Sequence, residues 1–232
     1  MATSGTYTFN PSLGDMTLFC YNLAGIRRTE IIQEHLAYAA IAANKVCLDW
    51  SNKGVNLWKV VGPTAVPWVQ GQATYSIDPS CIVMLDTYAQ LVGPTGITTD
   101  LIMTPISRSE YATYPDKQAQ GRPTVYWYNR QINPSVTVWN VPDGTSSTNL
   151  VYFWLRQIQD SVLGGSIQED MPARWLPAFI DAYAVELARA WNPPRVKDLL
   201  VFAQSSYATA ANQDVETSNI YISPQLSGYW RM

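Results

Sequence analysis

Apolar residues recur four, three, four, three and four positions apart through Ile32, Leu36, Ala39, Ala43, Val46 and Trp50. That spacing puts them on one stripe of a 3.6-residue helix. It predicts a long amphipathic helix from Thr29 to Lys53, with Thr29 as N-cap, Glu30 complementing the dipole and Gly54 as the left-handed residue beyond the end. Ala37, Ala39, Ala40, Ala42 and Ala43 keep its middle slim, so neighbouring helices can approach closely. A shorter helix, Met16 to Ala24, is expected before it, capped by Asp15 and ended by Gly25. Far downstream, Pro172 to Trp191 carries the stripe Trp175, Phe179, Ala182 or Tyr183, Leu187 and Ala190. Pro177 falls one position past its first turn and is expected to kink it. Pro193-Pro194 breaks this helix, and a last one runs from Val196 to Ala211 through Leu199, Leu200, Ala203 and Tyr207. The Thr29 helix is expected at the centre, with the others packed on it.

Between the helices the period changes. Leu57, Lys59 and Val61 alternate, and Val66 to Ile77 reads as a hairpin turning at Gln70-Gly71-Gln72. Ile82 to Val92, Leu101 to Ile106, Val125 to Arg130, Val136 to Trp139 and Leu150 to Ile158 read as further strands. The turns Gly93-Pro94-Thr95-Gly96 and Val141-Pro142-Asp143-Gly144 punctuate them, and Ser107 caps a short helix. About seven short strands with turn signals imply an antiparallel sheet or small sandwich. The expected class is therefore α+β: an antiparallel helical bundle split by an inserted antiparallel β-sheet or small sandwich, with an extended C-terminal tail. Residues 1–14 are an extended arm, 15–54 plus 171–211 the bundle, 55–170 the β-rich insertion and 212–232 the tail.

Composition sharpens this picture. Only 14% of residues are charged, against nine Trp and fourteen Tyr, and the net charge is -3. Such a chain lacks the basic surface that nucleic acid demands; its low charge and aromatic richness suit surfaces hidden in partner contacts, the alternative being a Thr/Ser/Asn/Gln-rich surface that stays soluble without charge. The three cysteines, Cys20, Cys47 and Cys81, are widely spaced and form no metal-ligand pattern, as expected of buried free thiols in a reducing cytoplasm. The opening residues lack the basic and apolar regions of a signal peptide, and no apolar run approaches membrane-span length.

Candidate chemistry is sparse. His35 is the single histidine, and no Ser-His-Asp or Cys-His set has an obvious second member. Neither of the glycine-rich phosphate-binding patterns occurs. Asp49, Asp86, Glu110, Asp160, Glu169 and Asp170 could supply a glycosidase pair, but nothing selects two of them. Trp50, Trp58, Trp127, Trp139, Trp154 and Trp175 sit at periodic positions, which favours core over a sugar-stacking face. The reading is a non-enzyme without catalytic residues, cofactor or metal.

Several blocks in order carry a resemblance: LDWSNKGVNLWKV (48–60), VQGQATYSID (69–78), ISRSEYATYPDKQAQGRPTVYWYNRQ (106–131), VTVWNVPD (136–143) and MPARWLPAFIDAYAVELA (171–188). Together they resemble the head-to-tail adaptor proteins of tailed bacteriophages, the head-completion or packaged-DNA-stabilisation type. The resemblance implies a homo-oligomeric virion ring, usually a dodecamer, bound beneath the portal protein ring at the head-tail junction. It implies sealing of the channel, through which double-stranded DNA passes without sequence-specific binding. It also implies a platform for the next tail component (nozzle, stopper or tail tube). A neutral or acidic bore would avoid sticking to DNA. The alternative is a cell-wall (peptidoglycan) hydrolase or carbohydrate-binding virion protein.

The tail lies outside the matching blocks. It carries Ile220, Tyr221 and Ile222, suited to adding a strand to a portal or adaptor edge, and Leu226, Tyr229 and Trp230 as anchors. Seventeen extended residues reach roughly 55 Å, long enough to leave the domain; the other possibility is that the tail folds back on its own chain.

Overall fold

The computed structural model describes residues 5–6, 9–54, 57–92, 96–144, 149–163 and 168–215. The six tail residues singled out above, and most of the turn at 93–96, lie outside them. The chain is α+β, with two four-stranded sheets and five α-helices among the described residues.

Helix α1 spans Leu13–Leu23 and α2 Gln33–Ser51. Ser12, not Asp15, caps α1: its Oγ accepts from the Asp15 amide, and its hydroxyl donates to the Asp15 carboxylate. Leu13 is fully buried, so the last residues assigned to the arm belong to the core. Thr29 does not cap α2. It sits in a 3-10 turn, Arg28–Glu30, and Glu30 reaches back to the Arg27 amide. The helix starts four residues later, where His35 Nδ1 accepts from the Ile32 amide. The lone histidine is thus a capping residue, with its ring stacked 3.9 Å from that of Trp191. At the far end Gly54 takes the expected left-handed conformation, with φ +61°.

A 3-10 turn, Ala173–Trp175, leads into α4, Leu176–Trp191. Pro177 therefore falls in the first turn, where its missing amide proton has no partner to lose, and no kink is required. A 3-10 turn at Pro193–Arg195 then leads to α5, Val196–Gln213.

The centre of the helical layer is α4 rather than the Thr29 helix. It packs against α1, α2 and α5, and it buries Leu176, Phe179, Tyr183 and Leu187 together with Ala178, Ala184 and Ala188. The hydroxyl of Tyr183 lies 2.9 Å from Thr17 Oγ1 on α1 and 3.1 Å from the Ala39 carbonyl on α2. On α2 the expected stripe holds for Ala39, Ala43, Val46 and Trp50, but Ile32 is 56% and Leu36 41% exposed. A helix packed chiefly on one neighbour has only one side to bury; α4, with three, buries a wide arc.

The strands are β1 Val60–Pro67, β2 Thr74–Ser76, β3 Cys81–Val92, β4 Thr98–Ile102, β5 Thr104–Pro105, β6 Val125–Asn129, β7 Ser135–Trp139 and β8 Asn149–Arg156. The first sheet has the order β1-β8-β3-β4 and the second β2-β7-β6-β5. Two expectations fail here. The Val66–Ile77 hairpin does not form, because β1 pairs with β8 and β2 with β7, so the Gln70-Gly71 turn carries the chain between sheets. The strand expected at Leu101–Ile106 is divided at buried Met103 into β4 of the first sheet and β5 of the second. The ladders are antiparallel except β5 with β6, which is parallel.

The two sheets enclose a core of Met84 and Ala89 from β3, Leu150, Tyr152 and Trp154 from β8, Tyr126 from β6, and Val136 and Val138 from β7. The period of two along β8 and β7 gives each sheet its inner face. Where β3 shifts register between Met84 and Thr87, the Leu85 carbonyl accepts from Tyr126 of the facing sheet. Gly62 is needed at the β1 irregularity: its φ is +135°, and a Cβ there would lie 3.0 Å from the Tyr152 carbonyl.

Short α3, Arg108–Thr113, is capped by Ser107 as expected. It lays Tyr111 against Trp127, and the next residue, Tyr114, against Trp139 at 4.2 Å with the planes 2° apart.

Helices and sheets meet where the chain leaves α2 and where it returns after β8. Asn44 of α2 clamps Ser161 twice, donating to its carbonyl at 2.9 Å and accepting from its amide at 2.8 Å. Ser51 Oγ accepts from the Ile158 amide at 3.2 Å. Lys59, fully buried, donates to the Trp50 carbonyl at 3.0 Å. Arg156 makes a two-pronged pair with Asp170, which also accepts from the Gln159 amide. Burial alone would raise the Asp170 carboxyl, but these donors outweigh it and hold it below its ordinary range. Neighbouring Glu169 goes the other way. Burial raises its pKa, only partly offset by the Ser161 hydroxyl that it accepts from, and the Asp170 charge adds to the rise.

Phe179→Ala, truncating a fully buried ring, is expected to cost about 3–5 kcal/mol, read as a lowered midpoint in guanidinium denaturation. Because folding raises the Glu169 pKa, its contribution favours the fold below the unfolded carboxyl pKa and is lost as pH rises through the folded value. Glu169→Gln should therefore be more stable relative to the parent at pH 8 than at pH 4. Urea midpoints across that range check the sign; a difference that does not change with pH would refute it.

Candidate interaction surface

A groove of about 460 Å³ lies between α2, α4 and α5. Its position follows from the helix packing. Both α2 and α5 pack on α4, and they diverge across its Ala182–Val185–Arg189 side. Small residues make the floor low: Ala182 on α4 and Ala203 on α5, beside Val46 and Val185. Aromatic rings close one end, where Trp50 and Tyr207 lie 5.5 Å apart between centroids. Leu200, 43% exposed, forms part of the α5 wall.

The rim is charged and internally paired. Glu186 bonds both Lys45 across the helices and Arg189 on its own helix. Lys53 pairs with Asp49, and its ammonium sits 5.1 Å from the centre of the Tyr207 ring. The Lys53–Asp49 pair is exposed on both sides and contributes little stability, whereas Glu186 is only 15% exposed between its two cations. An apolar floor with a paired polar rim is the anatomy of a protein-protein contact.

Outside the groove the same helices display large apolar side chains: Ile41 (69% exposed) and Leu48 on α2, Val201 (65%) and Phe202 (64%) on α5. The period-3.6 reading assigned the inner stripes but gave these outward positions no role. A signal was present in the sequence: Leu199-Leu200-Val201-Phe202 is apolar all the way round the helix, which is what a helix contacted on two sides requires.

Of the other candidates, Asp86, Glu110 and Asp160 are exposed, while several take structural places. Trp50, Trp154 and Trp175 are buried. Trp139 has a face covered by Tyr114, and its indole nitrogen donates to the Asp116 carbonyl. That stacking denies a sugar the covered face. Asp49 and Asp170 are in ion pairs, and Glu169 and Asp170 belong to the joint described above. The thiols of Cys20, Cys47 and Cys81 are free and buried, and burial pushes that of Cys47 up to about 12. Among the described residues no group of three or more His, Cys, Asp or Glu could hold a metal ion, and no helix is long and apolar enough to cross a membrane. The chain matches no known family model, and none of the curated proteins is significantly similar to it in sequence.

Charge placed on the outward apolar face should act on association and not on folding. Val201→Asp with Phe202→Asp is expected to leave the thermal midpoint nearly unchanged, since exposed substitutions typically shift stability by under about 0.5 kcal/mol. The same variant should bind less of a hydrophobic dye than the parent. A large fall in the midpoint would show that these side chains support the fold itself.

Proposed function

We propose that this chain is a structural virion protein, a ring adaptor between the portal and the tail that seals the DNA channel and carries the next tail component. The observation that carries the reading is the set of exposed large apolar side chains on α2 and α5, Ile41, Leu48, Val201 and Phe202, on helices that also wall a partly apolar groove, in a chain with few charges. Such exposed apolar side chains suit a protein that works surrounded by copies of itself. The ordered blocks that resemble the head-to-tail adaptors support the same reading.

In this reading the helices between Leu13 and Ser51 and between Leu176 and Gln213 form one antiparallel helical bundle, 55–170 are the β-rich insertion, and the residues after 215 are an extended tail. A closing ring requires a head-to-tail interface in which two different patches meet. Weak single contacts then suffice, because a ring docks on a ring through many copies at once. Residues 220–222 add a strand to a portal or adaptor edge, and Leu226, Tyr229 and Trp230 anchor it.

The test is the mass of the full chain in solution, alone and after mixing with the cognate portal ring, by light scattering on a sizing column. The expected result is a monomer that joins the portal at fixed stoichiometry. Deleting 217–232 should abolish portal binding while the circular dichroism spectrum and thermal midpoint stay as in the full chain. A chain that ignores the portal, yet clears peptidoglycan or binds sugar, would replace this reading with the hydrolase or carbohydrate-binding one.

A further inference from the structure

We infer that, before assembly, the groove between α2, α4 and α5 is the resting dock of this chain's own segment 216–223, with Ile220, Tyr221 and Ile222 lying over its apolar floor. Tether and length both point to that occupant.

The tether point is fixed. Asp214, one residue past the end of α5, is almost wholly buried, and its carboxylate accepts from Arg174 at 2.8 Å. Whatever residues 216–232 do, they depart from this spot. Tyr207, at the aromatic end of the groove, lies seven residues earlier on the same helix, about 10 Å at 1.5 Å per residue.

The lengths then match. Residues 216–219, Glu-Thr-Ser-Asn, are polar and span about 13 Å when extended, enough to bring Ile220 back level with Tyr207. From Tyr207 to Leu200 the groove follows α5 for a further seven residues, again about 10 Å. Three extended residues cover that distance, and three consecutive large apolar residues, Ile220-Tyr221-Ile222, stand there before Ser223-Pro224.

A segment tethered so close has an effective concentration on the order of millimolar, well above that of the same segment on a second copy in dilute solution. The chain's own segment is therefore the first occupant. This dock does not depend on the adaptor reading. Where that reading holds, the portal must displace the segment from the groove, so the docking strand stays covered until a ring offers many sites at once.

Cysteine cross-linking of the full chain tests this. Gln204→Cys on the groove rim is combined with Tyr221→Cys; the natural thiols are buried and do not compete. Under mild oxidation the pair should form a disulfide within one chain at least about tenfold faster than Tyr221→Cys combined with Ile132→Cys on the exposed β6–β7 turn, which reports tethered collision alone. Adding Leu200→Arg, a change on the exposed wall that leaves the fold intact, should slow the groove pair toward the control. Equal rates for the two pairs would overturn the inference. So would disulfide-linked dimers as the main product, since they place the segment in the groove of a second copy. Neither readout involves the portal, so failure here and failure of the adaptor reading are separable.

Discussion

The whole molecule hangs on the polar joint at the C-terminal half of α2. Helices and sheets have separate apolar cores, so the hydrophobic effect within each says little about how they are joined. The joining is done by directional bonds. Asn44 holds both backbone groups of Ser161, Ser51 receives the Ile158 amide, and Lys59 donates to the Trp50 carbonyl. Hydrogen bonds of this kind fix an orientation because a buried donor or acceptor left unmade costs more than a made one gains. Lys59 shows the cost being borne. Burial lowers its pKa, partly opposed by the Asp214 charge, yet its ammonium closes the otherwise open end of α2.

A second polar contact fixes where α5 ends. Arg174, just before α4, donates to the Asp214 carboxylate at the end of α5, and α4 is gripped through Tyr183 by α1 and α2. The point from which the C-terminal segment leaves is thereby held against the body of the protein. In a ring adaptor such anchoring would let one short segment present the same face in every copy, and multivalent docking depends on that uniformity.

Much of the fold was legible in the chain because it rests on local period and punctuation. The helices end within a few residues of where the 3.6-period stripes end, and Ser107, Gly54 and Pro193-Pro194 act where local sterics and capping say they must. Most strands are also where alternation puts them. The N-cap of α2 was misplaced because Thr29 is a good cap in isolation, but Glu30 bonds the Arg27 amide and draws Thr29 into a separate turn. The false hairpin has a similar origin: Gln70-Gly71 has the chemistry of a tight turn, and turn chemistry cannot tell a return to the same sheet from a crossing to the next.

By itself, then, the sequence determined the helices, most strands and the low-charge, aromatic composition, because each depends on residue type and on neighbours within a few positions. Tertiary structure alone decided that α4 and not α2 is central, that Leu101 to Ile106 serves two sheets, and that the stacked Tyr114 and Trp139 cover one another. It also created the groove, where α2 meets α4 and α5 from more than a hundred residues further along the chain. Contacts at that separation leave no period in the sequence; they exist only once burial has selected which faces meet.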